Sequence, residues 1–340
     1  MSKKICVMGA GSWGLALALL LDDNHHEVTV WCYSKEEKEA IELEGENKRC
    51  LPGVQIPKRM KFTTSDEDAI KDKDIVVIAI PSEFMRENIQ QMAPFIKEHQ
   101  IIVNVSKGLE YSTLSRLSEV IQSELPNNPI VVLSGPSHAE EVSRRLPTTV
   151  TVSSQSKQAA HEIQTVFMTD YFRVYTNPDL MGVELGAALK NVIAFAAGAL
   201  EGMGYGDNTK AALMTRGLTE ITRLGVAMGA NQQTFSGLSG IGDLIVTCTS
   251  PHSRNRYAGE LIGKGYSLEE ALEKVNMVVE GVHTAKGAYL LKEKYNVQMP
   301  IITAVYKTLF EGLTVKDALH SLMVRDKKDE HSQEDLLWQK

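Results

Sequence analysis

A single lysine lies inside a stretch of small and apolar residues, where a charged side chain is unusual. Residues 184–195 read ELGAALKNVIAF, and Lys190 and Asn191 are the polar residues within the apolar run. A helix that is apolar on nearly all sides is buried, and burial lowers a lysine pKa by up to ~3–5 units. Such a lysine can exchange a proton near neutral pH, as a catalytic acid or base must. The sequence leaves open the alternative that Lys190 reaches water from the edge of its helix.

A set of phosphate-binding side chains follows in residues 250–257, SPHSRNRY. Ser253, Arg254 and Asn255 stand where a helix is predicted to begin, so a hydroxyl, a planar guanidinium and free backbone N–H groups can serve one anion. Arg256 and the local lack of acidic residues favour a phosphate pocket over a capped helix with surface arginines. Upstream, Asp243 follows a glycine-rich segment, and we expect it either to hydrogen-bond a substrate hydroxyl or to cap a helix.

The first residues of the chain contain a glycine motif for binding phosphates. An apolar strand at residues 5–8 is followed by GAGSWG and then by a second apolar run without Gly or Pro. This strand–turn–helix context predicts a dinucleotide site. Gly9 makes the tight turn, Gly11 lets the backbone approach a pyrophosphate, and Gly14 lets helix and strand pack closely. The alternative is a glycine-rich turn without a ligand.

The residues after the second predicted strand bear on the choice of cofactor. NAD-binding domains usually place an acid there to bind the ribose 2′-OH. This chain has Cys32-Tyr33-Ser34-Lys35 instead. Ser34 and Lys35 are expected to hold a 2′-phosphate and Tyr33 to stack on adenine, which favours NADP or the use of both cofactors. The alternative is that Lys35 is only a surface residue at the start of the next helix.

Three further segments stand at predicted strand ends, where open α/β sheets bind their ligands. They are Ile80-Pro81-Ser82, Ser106-Lys107-Gly108 and residues 134–140, SGPSHAE. Lys107, next to a flexible glycine, is expected to point into the cleft, unless it is an ordinary surface lysine. The third segment offers backbone N–H groups and a hydroxyl at a helix start.

The elements predicted to position these residues are the strands of a sheet followed by helices. Strands are predicted at 27–31, 61–64, 74–80, 101–105 and 130–133, with possible edge strands at 149–152 and 172–175, and with helices at 34–46, 83–97 and 114–124 between them. From residue 181 onward the pattern is almost entirely helical. The fold class is therefore α/β, with an N-terminal Rossmann-type doubly wound sheet at 1–179 and an all-α domain at 180–324. Residues 325–340 are dense in charge and are predicted to be a disordered tail.

Composition excludes several classes of function. The 340 residues carry 36 basic and 43 acidic side chains, a net charge of −7, which argues against a nucleic-acid binder. The four cysteines are scattered without metal-ligand spacing, so we expect no metal site and a reducing, cytoplasmic environment. We expect no signal peptide and no uninterrupted apolar run of membrane length.

Seven motifs together resemble bacterial NAD(P)-dependent glycerol-3-phosphate dehydrogenase. They are GAGSWG, SKGLE, SGPSHAEE, ELGAALKNVIA, GLSGIGDL, SPHSRNR and VVEGVHTA, and the resemblance runs from the first strand to about Met323. It implies the reversible reduction of dihydroxyacetone phosphate to sn-glycerol 3-phosphate, which feeds glycerophospholipid synthesis. It also implies a phosphorylated small-molecule substrate and a possible homodimer. Family members often have Arg or another basic or polar residue where this chain has Cys32-Tyr33-Ser34.

The resemblance also implies roles for individual residues. Lys190 is the catalytic proton acceptor, and Lys107 lies between cofactor and substrate. The substrate positions, besides these two, are Gly135, Ser137, Asp243, Ser253, Arg254 and Asn255. Ser12, Trp13, Ala139, Val278 and Glu280 join Gly9, Gly11, Gly14, Tyr33, Lys107 and Arg254 at the cofactor.

Two other functions remain open from the sequence. One is a dehydrogenase for another hydroxy acid with the same two domains. The other is a non-catalytic NAD(P)-binding regulator, which needs no acid–base lysine facing the nicotinamide.

Overall fold

Runs of β-branched and other apolar residues form the strands of the first half of the chain, because helices cover both faces of the sheet. The computed structural model describes residues 2–327 and 329–330. The strands of this part, in chain order, are β1 (Lys4–Met8), β2 (Glu27–Trp31), β3 (Lys61–Thr63), β4 (Ile75–Ile78), β5 (Ile101–Asn104), β6 (Leu109–Glu110), β7 (Ser115–Arg116), β8 (Ile130–Ser134), β9 (Thr148–Ser154) and β10 (Phe172–Asn177).

Helices connect these strands and then form the rest of the described chain. They are α1 (Ser12–Asp23), α2 (Lys35–Glu44), α3 (Asp66–Ile70), α4 (Met85–Met92), α5 (Leu117–Glu124), α6 (Ala139–Val142), α7 (Lys157–Phe167), α8 (Leu180–Gly202), α9 (Asp207–Met228), α10 (Asp243–Thr249), α11 (Arg254–Gly263), α12 (Leu268–Val275), α13 (Glu280–Lys294), α14 (Pro300–Phe310) and α15 (Val315–Met323).

The main sheet has the order β10-β9-β8-β5-β4-β1-β2-β3, and β6 and β7 form a separate ribbon. All neighbours in the main sheet pair in parallel except β8 and β9. The predicted fold class, a Rossmann-type sheet followed by helices, is confirmed. The carboxyl ends of β1, β4, β5 and β8 meet at one edge, where the strand order reverses and ligands bind in such sheets.

The structure corrects four predicted elements. α5 begins at Leu117, not at 114, because Leu114 has a φ of +59° and the next two residues pair with β6. α4 ends at Met92, where a turn of 3-10 helix containing Pro94 replaces it. β4 stops at Ile78, before the predicted end at Ile80. β9 lies inside the sheet, antiparallel to β8 and parallel to β10, so of the two strands predicted as edges only β10 is one.

α8 is the central helix of the second half. α8 and α11 approach so closely that only glycine fits between them: a Cβ on Gly198 would lie 1.8 Å from the carbonyl oxygen of Arg256, and one on Gly259 would lie 1.9 Å from that of Phe195. This contact places Lys190 of α8 beside the start of α11. α8 has the length and mean hydropathy of a membrane span, although Glu184 and Lys190 interrupt its apolar run, and 94% of its apolar window is buried inside the protein. It therefore gives no support for membrane insertion.

The sheet and the helices are joined near the start of α8. Asp179 caps this helix, accepting a hydrogen bond from the Gly182 N–H at 2.9 Å. Glu184 is buried and accepts from Arg116 at 2.6 Å and from the backbone N–H of Ser118 at 2.8 Å. A buried, hydrogen-bonded ion pair of this kind fixes how two elements meet. The predicted disorder of residues 325–340 falls mostly outside the described residues.

Candidate active site

Two lysines from different elements share one buried carboxylate. Asp243 begins α10 and is 1% exposed. Its Oδ1 accepts a hydrogen bond from Lys190 Nζ at 2.6 Å, and its Oδ2 accepts one from Lys107 Nζ at 2.7 Å. Lys107 also donates to the carbonyl oxygen of Gly135 at 3.1 Å. The cluster therefore joins the ends of β5 and β8 to the helical half of the protein.

Burial sets the acid–base properties of Lys190, which is 5% exposed and does not reach water from a helix edge. Burial lowers the pKa of Lys190 to about 8, the Asp243 carboxylate opposes the fall, and the Lys107 ammonium adds to it. Burial disfavours the Asp243 carboxylate, yet the two ammonium groups hold the pKa of Asp243 below its usual range. The cluster thus combines an ionised carboxylate with an ammonium that loses its proton just above neutral pH.

Sequence reasoning missed a second hydrogen-bond partner of Lys190. The hydroxyl of Thr247 accepts from Lys190 Nζ at 2.5 Å and donates to the backbone carbonyl of Asp243 at 2.6 Å. Thr247 lies one helical turn after Asp243, so the two side chains share a face of α10. That i, i+4 spacing was the signal available in the sequence.

The predicted phosphate residues lie at the start of α11. Ser253 caps this helix, accepting from the Arg256 N–H at 3.2 Å. Asn255 donates to Asn191 Oδ1 at 3.1 Å and accepts from the Gly281 N–H at 2.8 Å, which ties it to the neighbour of Lys190. Arg254 is exposed, and its guanidinium has no hydrogen bond or salt bridge to any described residue. It remains available for an anion.

Arg256 does not belong to this group, contrary to the sequence-based interpretation. It is 7% exposed and pairs with Glu201 at 2.8 Å and with Glu260 at 3.2 Å. Its Nε donates to the carbonyl oxygen of Ser250 at 3.0 Å. The acids that seemed to be absent are therefore close in space, and Arg256 stabilises the contact between α8 and α11.

The loop after β8 closes the cluster from the sheet side. Gly135 has a φ of +142°, which favours glycine, and a Cβ there would lie 3.0 Å from Val150 Cα. The Ser137 hydroxyl donates to the carbonyl oxygen of Gly135 at 2.9 Å, the same oxygen that Lys107 contacts. Ala139 is buried and begins α6.

The glycine turn fits a dinucleotide. Gly9 has a φ of +124°, and a Cβ on Gly14 would lie 2.0 Å from the carbonyl oxygen of Gly9. A Cβ on Gly11, in contrast, would meet no atom within 4 Å. Gly11 is the N-cap of α1 and provides no side chain to satisfy the first N–H groups of the helix, which include those of Ser12 and Trp13. These donors can bind a pyrophosphate.

The segment after β2, where the adenosine part of a cofactor is expected, contains an acid that sequence reasoning overlooked. Tyr33 is 86% exposed, so its ring is accessible for stacking. Ser34 caps α2, while Lys35 is directed along the helix towards Glu39, at 3.6 Å. Glu37 folds back and accepts from the Tyr33 N–H at 3.3 Å. A carboxylate therefore lies next to the residues expected to hold a 2′-phosphate.

The last two predicted cofactor residues precede or begin α13. Val278 is half-buried in the loop before that helix. Glu280 accepts from the backbone N–H of Ser82 at 3.0 Å and from its hydroxyl. Burial raises the pKa of Glu280 above its usual range. In residues 2–327 and 329–330, no three His, Cys, Asp or Glu side chains are grouped to hold a metal ion.

Comparison with known proteins gives matches along nearly the whole chain. The family described as NAD-dependent glycerol-3-phosphate dehydrogenase matches with its N-terminal part at residues 4–160 and with its C-terminal part at 179–320. A relative from Bacillus subtilis, named glycerol-3-phosphate dehydrogenase (NAD(P)+), is 55% identical over 338 residues, which cover 98% of this chain and 97% of the relative. A relative of the same name from Agathobacter rectalis is 53% identical and covers 97% of this chain and 98% of its own. The crystal structure of glycerol-3-phosphate dehydrogenase from Coxiella burnetii is 36% identical with a TM-score of 0.92, over 95% of this chain and 99% of that one.

Proposed function

Because this chain belongs to the NAD-dependent glycerol-3-phosphate dehydrogenase family, we propose that it interconverts dihydroxyacetone phosphate and sn-glycerol 3-phosphate with NAD(P)H. It is an NAD(P)-dependent oxidoreductase. The observation that carries the proposed reaction is the buried cluster in which Lys190 and Lys107 share Asp243, at 2.6 and 2.7 Å. A non-catalytic regulator would not need a lysine with a pKa near 8 at the ligand edge of the sheet, and an ordinary surface lysine would not have such a pKa.

The two lysines divide the acid–base and electrostatic work. When bound, the cofactor supplies a hydride to the carbonyl carbon of the substrate. Protonated Lys190 donates its proton to the oxygen that becomes the hydroxyl, and Lys107 stabilises the negative charge developing on that oxygen. Asp243, bonded to both ammonium groups, holds them beside the reacting oxygen. In the reverse direction, neutral Lys190 accepts the proton of the substrate hydroxyl.

The phosphate end of the substrate is assigned to the start of α11. Arg254 provides the guanidinium and Ser253 and Asn255 provide a hydroxyl and an amide, with Gly135 and Ser137 opposite. Asn255 is hydrogen-bonded to Asn191, which neighbours Lys190. Binding energy from the phosphate therefore orients the carbonyl at the other end of the molecule.

The residues proposed to hold the cofactor come from several elements. Gly9, Gly11, Ser12, Trp13 and Gly14 provide the turn and the helix start for the pyrophosphate. Tyr33 is assigned to the adenine, and Ala139, Val278, Glu280, Lys107 and Arg254 are proposed as further cofactor contacts. The indole Nε1 of Trp13 is buried and has no hydrogen-bond partner among the described residues, which leaves a donor for a ligand in this region.

Cofactor choice is tested by removing the acid at the adenosine end. The sequence-based preference for NADP stays a prediction, and Glu37 acts against it by repelling a 2′-phosphate. Glu37→Gln is expected to raise the ratio of kcat/KM for NADPH over NADH about fivefold, equivalent to ~1 kcal/mol between charges in a wet site. Steady-state rates with both cofactors measure the ratio. Glu44→Gln, at the far end of α2, is the matched control and should leave it unchanged; an unchanged ratio in Glu37→Gln would place this carboxylate away from the ribose.

The pH dependence follows from the lowered pKa of Lys190. Reduction requires the ammonium form, so its rate should fall as pH rises through about 8. Oxidation of sn-glycerol 3-phosphate requires the neutral amine, so its rate should rise through the same pH. The kcat/KM values in both directions, measured from neutral pH to about pH 10, test this crossing. Two profiles that move in the same direction would contradict the assignment of Lys190.

A substrate panel tests the proposed function directly. Consumption of NADPH is followed optically with dihydroxyacetone phosphate, with phosphate-free dihydroxyacetone and with small 2-oxo acids. We expect efficient turnover of the phosphorylated ketone alone. Turnover of the 2-oxo acids instead would favour another hydroxy-acid dehydrogenase, and no turnover at all would favour a cofactor-binding regulator.

The proposal also covers the domain division, the cellular location and the oligomeric state. Residues 1–179 and 180–324 are proposed as the cofactor and substrate domains, because the sheet ends at Asn177 and α8 begins at Leu180. A cytoplasmic enzyme that supplies glycerophospholipid synthesis is proposed, and the four unpaired cysteines agree with a reducing compartment. A homodimer is proposed from the family alone.

A further inference from the structure

The turn after β4 contacts both the loop of Lys107 and the first residue of α13. We propose that Ser82, in this turn, is a positioning residue that holds Lys107 against Asp243 through its contacts with Gly108 and Glu280. This inference rests on the proposed function. The three observations below support it.

The first observation is the bond between Ser82 and Glu280. Ser82 is 3% exposed and uses two donors on one carboxylate: its N–H lies 3.0 Å from Glu280 Oε1 and its hydroxyl 2.5 Å from Oε2. Ser82 belongs to the sheet half of the chain and Glu280 to the helical half. A carboxylate that accepts two donors from one residue fixes the turn in a single position.

The second observation is that the loop of Lys107 is fastened to this turn on both sides. A Cβ on Gly108 would lie 2.6 Å from Ser82 Cβ and Oγ and 3.2 Å from Glu280 Oε2, so Gly108 is packed against the bonded pair. On the other side of Lys107, the Ser106 hydroxyl donates to the carbonyl oxygen of Ile80 at 2.6 Å. Lys107 therefore stands between two residues that are both held by residues 80–82.

The third observation links the same helix start to the other lysine. The N–H of Gly281 donates to Asn255 Oδ1 at 2.8 Å, and a Cβ on Gly281 would lie 2.6 Å from the carbonyl oxygen of Asn191. The start of α13 thus touches the residue beside Lys190 as well as the turn that holds Lys107. The same helix start is therefore tied to both lysine-bearing segments.

The test uses Ser82→Ala in the full chain. Loss of the hydroxyl weakens the contact with Glu280, and we expect kcat for dihydroxyacetone phosphate to fall about 10- to 100-fold, the size of effect that a small misplacement causes. A second readout reports the lysines themselves. Because the Lys107 ammonium lowers the pKa of Lys190, its displacement should move the midpoint of the pH profile of reduction to higher pH.

Ser154→Ala is the matched control. Ser154 is also buried, and its hydroxyl donates at 2.6 Å to the carbonyl oxygen of Ile130, within the sheet. It should lower the melting temperature as Ser82→Ala does, without moving the pH midpoint. If Ser82→Ala does not fold, Glu280→Gln serves instead, because glutamine keeps the shape and one acceptor oxygen; it should shift the midpoint in the same direction by less.

The outcomes are separable. A pH midpoint that stays at the value of the unsubstituted enzyme, whatever happens to kcat, would overturn the positioning role of Ser82. Failure of the unsubstituted protein to turn over dihydroxyacetone phosphate would instead overturn the proposed function. A raised midpoint together with a reduced kcat, and neither in Ser154→Ala, supports the inference.

Discussion

Replacement of Lys190 by methionine is expected to lower kcat for the reduction of dihydroxyacetone phosphate by about 10²- to 10⁴-fold, the usual contribution of a general acid. Methionine keeps the length and the apolar character of the lysine stem and removes the ammonium. The buried Asp243 is not left alone, because Lys107 remains bonded to it at 2.7 Å. The protein should therefore fold, and the loss of turnover should reflect chemistry.

The measurement pairs steady-state kcat with the dissociation constant of NADPH from a fluorescence titration. Cofactor affinity should change far less than kcat, since Lys190 acts on the substrate oxygen. Lys264→Met is the matched control: Lys264 is bonded to Glu260, which keeps Arg256 as a partner just as Asp243 keeps Lys107. Normal turnover in Lys190→Met would remove this lysine from the reaction.

The order of strands, turns and helices was predictable because each depends on neighbouring residues. Four parallel strands carry their ligand-facing residues to the same edge, so Gly9, Lys107 and Gly135 were expected to lie together. Helix caps are equally local: Ser267 before α12 and Glu270 in its first turn each bond the backbone of the other. Burial of Lys190 was one of the two interpretations that the composition of its helix allowed, and the structure confirms it.

What the sequence could not provide were partners from distant elements. Glu201, one of the two partners of Arg256, belongs to another helix and is brought near only by the glycine contact of α8 and α11. The other partner, Glu260, lies one turn further along α11, so its i, i+4 spacing was visible in the sequence. Glu37 is also an exception: it lies only four residues after Tyr33, but in the first turn of the next helix and not at the strand end, where an acid was sought. Asp243 was expected to bond a substrate hydroxyl or a helix end, and its two lysine partners come from elements far apart in the chain.

Replacement of Arg254 by alanine is expected to raise KM for dihydroxyacetone phosphate about 10- to 100-fold at saturating cofactor. A charge-assisted bond contributes about 1.5–3 kcal/mol, and a guanidinium forms two such bonds to one phosphate. Stability should change little, because the side chain is exposed and has no ion-pair partner in the described part of the chain. Thermal melting of the variant checks this.

Comparing substrates with and without the phosphate group gives the sharper test of Arg254. If Arg254 acts through this group, the substitution should leave kcat/KM for phosphate-free dihydroxyacetone unchanged when the cofactor is saturating, so that the advantage of the phosphorylated substrate shrinks by the full 10- to 100-fold. Arg173→Ala, an exposed arginine over Tyr175 on the edge strand β10, is the control for loss of surface charge. Equal losses with both substrates would mean that Arg254 shapes the site without binding the phosphate, whereas a loss confined to the phosphorylated ketone places the anion at the start of α11.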